Sequence, residues 1–487
     1  MVNISRKRSL FVTIDWTLIL LYFILITIGW VNIYSSIHSS EPSSILDFSF
    51  RSGKQFVWII SSLGLGALIL FIINPRAWEG LSLPIYALTV LVLIAVIFFG
   101  IKVNGSRSWF AFGPIRLQPA EISKIATSLL LAQYISQTGY KISTFKNFIV
   151  TAAIILVPMV IIIGQSETGS ALVYVGFIFM LYREGLSGWL LFIAGMMIVL
   201  FILTLTTTTY ASIIFLLVIT FISQALYKNK FKHLIYIYLP LTLFLCFLPN
   251  GLRLILENIS DPDSFFHKIK AVHILLSAIG LTTPFICVKA YRSKGYLLWG
   301  AIGSFIAGII FTFSVNFFFN SVLEDYQRKR IEVLLGIKED PMGVGYNVNQ
   351  SLIAIGSGGF SGKGFLNGTQ TTFGFVPEQS TDFIFCTIGE EWGFLGTSGV
   401  ILLFGILIWR IIHDAENSRE RFTRVYGYCI ACCLFMHLII NIGMTTGLMP
   451  VIGIPLPFIS YGGSSLWTFS TMLFIFLALV NNERKYF

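Results

Sequence analysis

Charge is what this chain has least of. Lysine, arginine, aspartate and glutamate make up only 11% of its 487 residues, less than half the share of about 25% usual in soluble domains. Hydrophobic residues account for 55%, with 45 phenylalanines, so a soluble enzyme with a polar shell is excluded. Cysteine is scarce as well. Cys246, Cys287, Cys386, Cys429, Cys432 and Cys433 all lie in apolar stretches, which argues against a disulfide-stapled scaffold. Cys429, Cys432, Cys433 and His437 share one helical face, but small apolar packing explains that face better than a metal site. Nucleotide-binding fingerprints are missing too. The run Gly356 to Gly364 is rich in glycine, yet Ser357 stands at the first glycine of a phosphate loop, and Gly364 follows Lys363 where Ser or Thr is needed.

What the chain does have is long apolar runs. A span needs about 20 such residues, and that rule predicts an all-α polytopic membrane protein with about fourteen spans. They fall near 11–34, 55–73, 83–101, 119–136, 147–164, 168–182, 188–206, 209–226, 234–249, 271–288, 296–320, 383–409, 425–446 and 466–480. The first is too long for a signal-peptide core and has no cleavage site after it, so it reads as a span. With both termini cytoplasmic, lysines and arginines are more numerous inside than outside, as the positive-inside rule requires. The net charge of +10 therefore reflects flanking cations, not a nucleic-acid partner. Arg328, Lys329, Arg330 and Lys363 fall outside, against the rule, and an anionic substrate would account for them. Residues 321–381 form the only long stretch between spans. A loop of that length is usually functional or disordered, and its Phe, Ile, Leu and Tyr content speaks for order.

Asp382 stands where this polar loop hands over to an apolar helix, at the membrane–water boundary. Two readings stand: a helix cap, since Ser380, Thr381 and Asp382 all suit that position, or a base acting on a lipid-linked substrate. The glycine-rich run is either a turn or a set of backbone N–H groups open to a diphosphate beside Lys363. Pro119 suits the first turn of a helix, placing Glu121 and Lys124 three apart on one face. They form a structural ion pair or line a polar cavity. Trp109 is a site residue or part of an interfacial aromatic belt. Glu390 and Glu391 follow two turns after Asp382, with at least one facing the protein interior. The stretch 447–465 is rich in helix breakers yet apolar, and irregular backbone at membrane depth must line a cavity or be buried.

Taken together, these segments resemble the SEDS family (shape, elongation, division and sporulation) of bacterial membrane proteins, and its RodA branch closely. The resemblance rests on Arg107 to Lys124, Asp325 to Arg328, Gly345 to Gly359, Lys363 to Gln370 and Pro455 to Ser465. It implies a peptidoglycan glycosyltransferase of the bacterial plasma (inner) membrane, polymerising lipid II into glycan strands during elongation and cell-shape maintenance. The implied partners are a class B penicillin-binding protein transpeptidase and other elongation-complex membrane proteins. Asp382 falls on the family's catalytic aspartate. Trp109, Arg116, Gln118, Glu121, Lys124, Lys363, Gln379 and Ser460 are the candidate substrate-binding residues. A divalent cation, Mg or Mn, is the one cofactor to consider. The implied fold is a family-like ten helices plus four inserted ones. That divides the chain into spans 1–7 (1–206), an insert (207–295), a span leading outward (296–320), an extracytoplasmic catalytic loop (321–381) and C-terminal spans with a re-entrant Pro/Gly loop (382–487). Three departures stand out. Glu167 and Ser166 replace the family's Asp and Pro in one motif, Ser380 stands where His is common, and about 90–120 residues are inserted between the seventh family span and the external loop. A lipid II flippase is the rival reading, because broken helices and an intramembrane Glu121/Lys124 pair also suit alternating access.

Overall fold

The computed structural model describes residues 13–37, 44–103, 106–113, 115–227, 240, 243–244, 247, 251, 271–292, 296–321, 325–335, 337, 343 and 345–485. Apolar runs become helices here because lipid offers no partner to a backbone N–H, and a helix satisfies its own. Nine of the described helices are long and apolar enough to cross a membrane.

The first compact unit comprises Met1–Ser187 and Asp340–Phe487. It opens with α1 (Trp16–Ile37), α2 (Arg51–Phe71) and α3 (Arg76–Phe99). The third helix starts seven residues before the expected 83, carrying Pro84 inside it. Transmembrane helices tolerate such a proline because neighbouring groups take up the freed carbonyl. Between the expected spans ending near 101 and starting at 119 lies a small antiparallel sheet of β1 (Ile101–Val103), β2 (Ser106–Phe112) and β3 (Ile115–Leu117). Strands of three residues are too short to show a period in the sequence. Then come α4 (Pro119–Ser136) and α5 (Phe145–Gly164). The expected span at 168–182 is broken at Gly176 into α6 (Thr168–Val175) and α7 (Phe177–Arg183).

The second unit, Gly188–Glu339, holds α8 (Gly188–Thr206), α9 (Thr209–Tyr227), α10 (Ala271–Arg292), α11 (Tyr296–Ser321) and α12 (Asp325–Leu334). Ile213, Leu217 and Leu275 form its small core. The span expected at 234–249 lies almost wholly outside the described residues.

Back in the first unit, α13 (Tyr346–Gly358) and α14 (Thr369–Thr372) order the loop ahead of Asp382. They are followed by α15 (Ile384–Asn417), α16 (Arg421–Thr445) and α17 (Gly463–Lys485). The last two are the most enclosed of the spanning helices, and their apolar residues dominate the core.

A kink at Gly393, where φ is +62°, divides α15. It frees carbonyls, and the glycine-rich run supplies donors for them. Lys363 N bonds Glu390 O (3.0 Å) and Gly364 N bonds Glu391 O (2.9 Å), while Phe394 N reaches back to Gly359 O (2.9 Å). A β-carbon on Gly393 would lie 2.3 Å from Gly362 N, so only glycine fits. Those two loop amides are therefore spent on the helix and are closed to a diphosphate.

One end of this unit is laced by ion pairs. Asp15 holds Arg410 and Arg484, Arg484 also bonds Asp414 (2.9 Å), Arg183 meets Glu416 (2.7 Å), and Arg421 meets Glu184 (2.7 Å). Asp382 belongs to the other end.

Candidate active site

No side chain caps α15; its N-cap position is Phe383. The carboxylate of Asp382 is therefore free of the capping duty that the sequence left open. Among the described residues no donor reaches it; what is held is its backbone. Asn441 on α16 gives one amide N–H to Asp382 O (2.9 Å) and the other to Ile454 O (2.7 Å). Ser460 Oγ donates to Thr381 O (2.6 Å), and Tyr461 N donates to Ser380 O (2.9 Å). Residues 380–382 are thereby zipped to the helix-breaking loop 450–462.

That loop brings Gly453 against the carboxylate. Gly453 sits at φ +74°, and a β-carbon there would be 3.1 Å from Asp382 Oδ2. Behind the loop runs a buried polar chain. Pro455 O accepts from His437 Nδ1 (3.0 Å), and His437 Nε2 accepts from Lys124 Nζ (2.7 Å). Lys124 in turn pairs with Glu121 (2.6 Å). This pattern fixes the tautomer: Nδ1 carries the hydrogen and Nε2 accepts. The Lys124 side chain is 0% exposed.

Burial pushes the Asp382 carboxyl up to about 7, and the charges of Glu378 and Glu167 add to the rise. Glu167 accepts from Ser108 Oγ (2.8 Å) and Gln118 Nε2 (3.1 Å). Glu378 accepts from Thr381 Oγ1 (3.1 Å) and from Arg51 (3.4 Å). Ser166, Glu378 and Phe458 hold left-handed backbone, at φ +61°, +49° and +65°. Such conformations are costly for non-glycine residues and cluster at functional sites. Tyr461 lies close by. Burial raises its hydroxyl, against the pull of Arg51 and Arg116.

The structure thus gathers Asp382, Glu167, Gln118 and Ser460 around one centre, with Arg116 exposed beside Tyr461. Trp109 is half-buried on β2, opposite Ile101. Glu121 and Lys124 sit behind the loop, spoken for by each other and by His437. Gln379 braces the loop by donating to Thr371 O (2.8 Å) and Ser36 O. Lys363 is placed apart, its ammonium 2.7 Å from both Glu390 and Thr369 Oγ1. Glu390 and Glu391 are both buried. Sequence reasoning missed Arg51, Asn441 and Gly453, and weighed His437 only against a metal site. Arg51 had a readable signal, as a cation flanking a span. His437 and Asn441, one turn apart, were visible only as polar residues in an apolar helix. Among the described residues no three His, Cys, Asp or Glu side chains are placed to share a metal ion.

Comparison with known proteins gives a consistent picture. A sequence model of the FtsW/RodA/SpoVE group, described as a cell cycle protein, matches residues 15–231 and 265–486. The unmatched interior, 232–264, lies within the segment read as inserted. A relative from Treponema pallidum, named peptidoglycan glycosyltransferase RodA, is 32% identical over 459 residues, covering 93% of this chain and 94% of its own. Peptidoglycan glycosyltransferase MrdB of Escherichia coli is 29% identical over 411 residues, 84% of this chain and 80% of its own. Two solved chains share the fold. One, from a peptidoglycan synthase complex that coordinates polymerization and crosslinking, has a TM-score of 0.59 at 22% identity, covering 97% of this chain and 98% of its own. The other, the rod shape determining protein RodA of Thermus thermophilus, scores 0.54 at 21% identity, covering 98% and 99%.

Proposed function

The chain belongs to the FtsW/RodA/SpoVE family of cell cycle proteins, and from that premise we propose that Asp382 is its catalytic base. The protein is a multi-pass membrane peptidoglycan glycosyltransferase, the activity for which its relatives are named. Its substrate, on our reading, is lipid II, presented at the outer face of the bacterial plasma membrane.

The observation that carries the assignment is the Asp382 carboxylate itself: it caps nothing, lies against a side-chain-free wall and holds its proton up to about 7. A base works best when its pKa is near the operating pH. The 4-hydroxyl of the acceptor sugar attacks the anomeric carbon of the donor. The bond from that carbon to the diphosphate oxygen breaks, its electron pair leaves with the diphosphate, and the hydroxyl proton passes to Asp382. Direct displacement inverts the anomeric centre, from an α-linked donor to a β-linked strand. A diphosphate leaves without needing a proton, so one carboxylate suffices where glycosidases use two.

Of the cations considered for the leaving group, Arg116 is exposed, Lys124 is enclosed, and Lys363 is pinned to Glu390. We therefore assign the diphosphate to Arg116, and to Lys124, Glu121 and His437 the task of positioning the loop around Asp382. Gln118 orients Glu167. Trp109 and Ser460 line the approach, while Lys363 and Gln379 stiffen the loop that carries the base. A crosslinking transpeptidase of the penicillin-binding class is the proposed partner. No observation favours the flippase: the polar machinery is gathered at one end of the helices.

Purified protein should polymerise lipid II, alone or with its crosslinking partner, whereas Asp382→Asn should lose about 10²–10⁴-fold in rate. Near-normal polymerisation by that variant would remove Asp382 from the role.

A further inference from the structure

A cavity of about 540 Å3 opens beside this site, between the outer end of α1, the start of α2 and the loop before Asp382. Ser36, Ser49, Arg51, Lys54, Thr372 and Gln379 supply its polar lining. Two of these residues are cations and none is an acid. Lys54 is exposed, and its ammonium has no hydrogen bond or ion pair among the described residues. The guanidinium of Arg51 is steered from three directions. It bonds Ser380 Oγ at 2.6 Å, reaches Glu378 at 3.4 Å and lies 5.6 Å from the centre of the Tyr461 ring. With half-exposed side chains, the Arg51–Glu378 pair neutralises little. Positive charge outside the bilayer runs against the usual distribution, and here two cations face one cavity, walled also by Ile37 and Phe50, that continues into the segment bearing the base.

We propose that this cavity is an oxyanion subsite for the lipid-linked substrate, with Lys54 as its free point charge and Arg51 as its oriented fork. The inference rests on the glycosyltransferase reading and deepens it. Two groups on such a substrate carry the required chemistry: the diphosphate and the carboxylates of the peptide stem. Arg suits either through paired N–H donors, and Lys contributes charge without geometry. Arg51 also touches Ser380, two residues from Asp382. Occupation of the cavity therefore bears on the same backbone that carries the base, and anion binding and base placement share one support.

Lys54 provides the clean test because it holds nothing else in place. Lipid II polymerisation by Lys54→Gln should show KM raised about fivefold with kcat within about twofold, the size expected for one exposed charge. Lys54→Glu should raise KM further, and Lys54→Arg should restore it. Binding to Asp382→Asn protein, whose turnover is expected to be slowed at least a hundredfold, reads the cavity separately. There a soluble prenyl diphosphate and a free stem pentapeptide are the probes, each measured with and without Lys54→Glu. Weakened binding of the diphosphate alone assigns the site to a substrate diphosphate, in addition to the contact given to Arg116; weakened binding of the peptide alone assigns it to the stem. Unchanged KM together with unchanged binding of both probes overturns the subsite. Loss of probe binding on Lys54→Glu, with no strands from wild type under any condition, would instead overturn the glycosyltransferase reading and leave the subsite standing.

Discussion

The carboxylate of Asp382 shares its surroundings with those of Glu378 and Glu167, and neither neighbour can be charged without raising its proton affinity. As a base it must be deprotonated. The polymerisation rate is therefore expected to climb with pH and level off above about 7, in a pH–rate profile taken on saturating lipid II. Stability should move the other way. The native state keeps a proton that the unfolded chain releases near pH 4, so stability falls as pH rises from there to about 7. Asp382→Asn removes that loss and should unfold at a higher temperature than wild type at pH 8. Gly453→Ala is expected to cost about 1–2 kcal/mol from its left-handed backbone alone. It should also depress kcat, since the new methyl meets Asp382 Oδ2; a thermal melt beside an activity assay separates the two effects.

Helix α16 places His437 and Asn441 one turn apart, one gripping Pro455 O and the other gripping both Ile454 O and Asp382 O. His437→Leu removes the loop contact and leaves Lys124 with Glu121 alone. Its kcat is expected to fall at least tenfold with KM little changed, and His437→Gln, which can donate and accept, should recover part of it. A rise in KM alone would place Lys124 on the substrate instead. Lys124→Met strands a buried carboxylate at Glu121 and should destabilise the protein by about 3–5 kcal/mol, read as a lowered unfolding midpoint in detergent. The helices were legible because hydropathy over twenty residues is a strong signal. The sheet at 101–117 was not, with two of its strands only three residues long. The glycine-rich run misled because its partner, the kink at Gly393, lies some thirty residues away and is invisible in local sequence. Asp382 was readable as a residue worth watching. Its role turned on where α15 begins, and one residue of helix boundary is below what sequence resolves.

The first unit keeps the ion pairs of Asp15, Asp414, Glu416 and Glu184 at one end and its candidate site at the other, as a transmembrane enzyme with a single working face would. Orientation can be read directly in cells. An impermeant maleimide should label Ser49→Cys in intact cells and Asn417→Cys only after lysis, both positions being exposed; the reverse pattern would put Asp382 on the cytoplasmic side, away from the wall. The positive-inside count sets that expectation, but it does not register that Lys363 is spent on Glu390 while Arg51 and Lys54 stand beside the site. Burial and pairing decide which cations are available, and neither is written in a charge count. The backbone wall at Gly453 also bears on antibiotic escape. A compound seated on Asp382 would rest against a residue whose every replacement is strained and presses on the base itself, so a bacterium that mutates the wall to expel the drug disables its own enzyme. Resistance would have to arise farther out, at side chains such as Lys54, where a substitution weakens substrate capture without abolishing the chemistry.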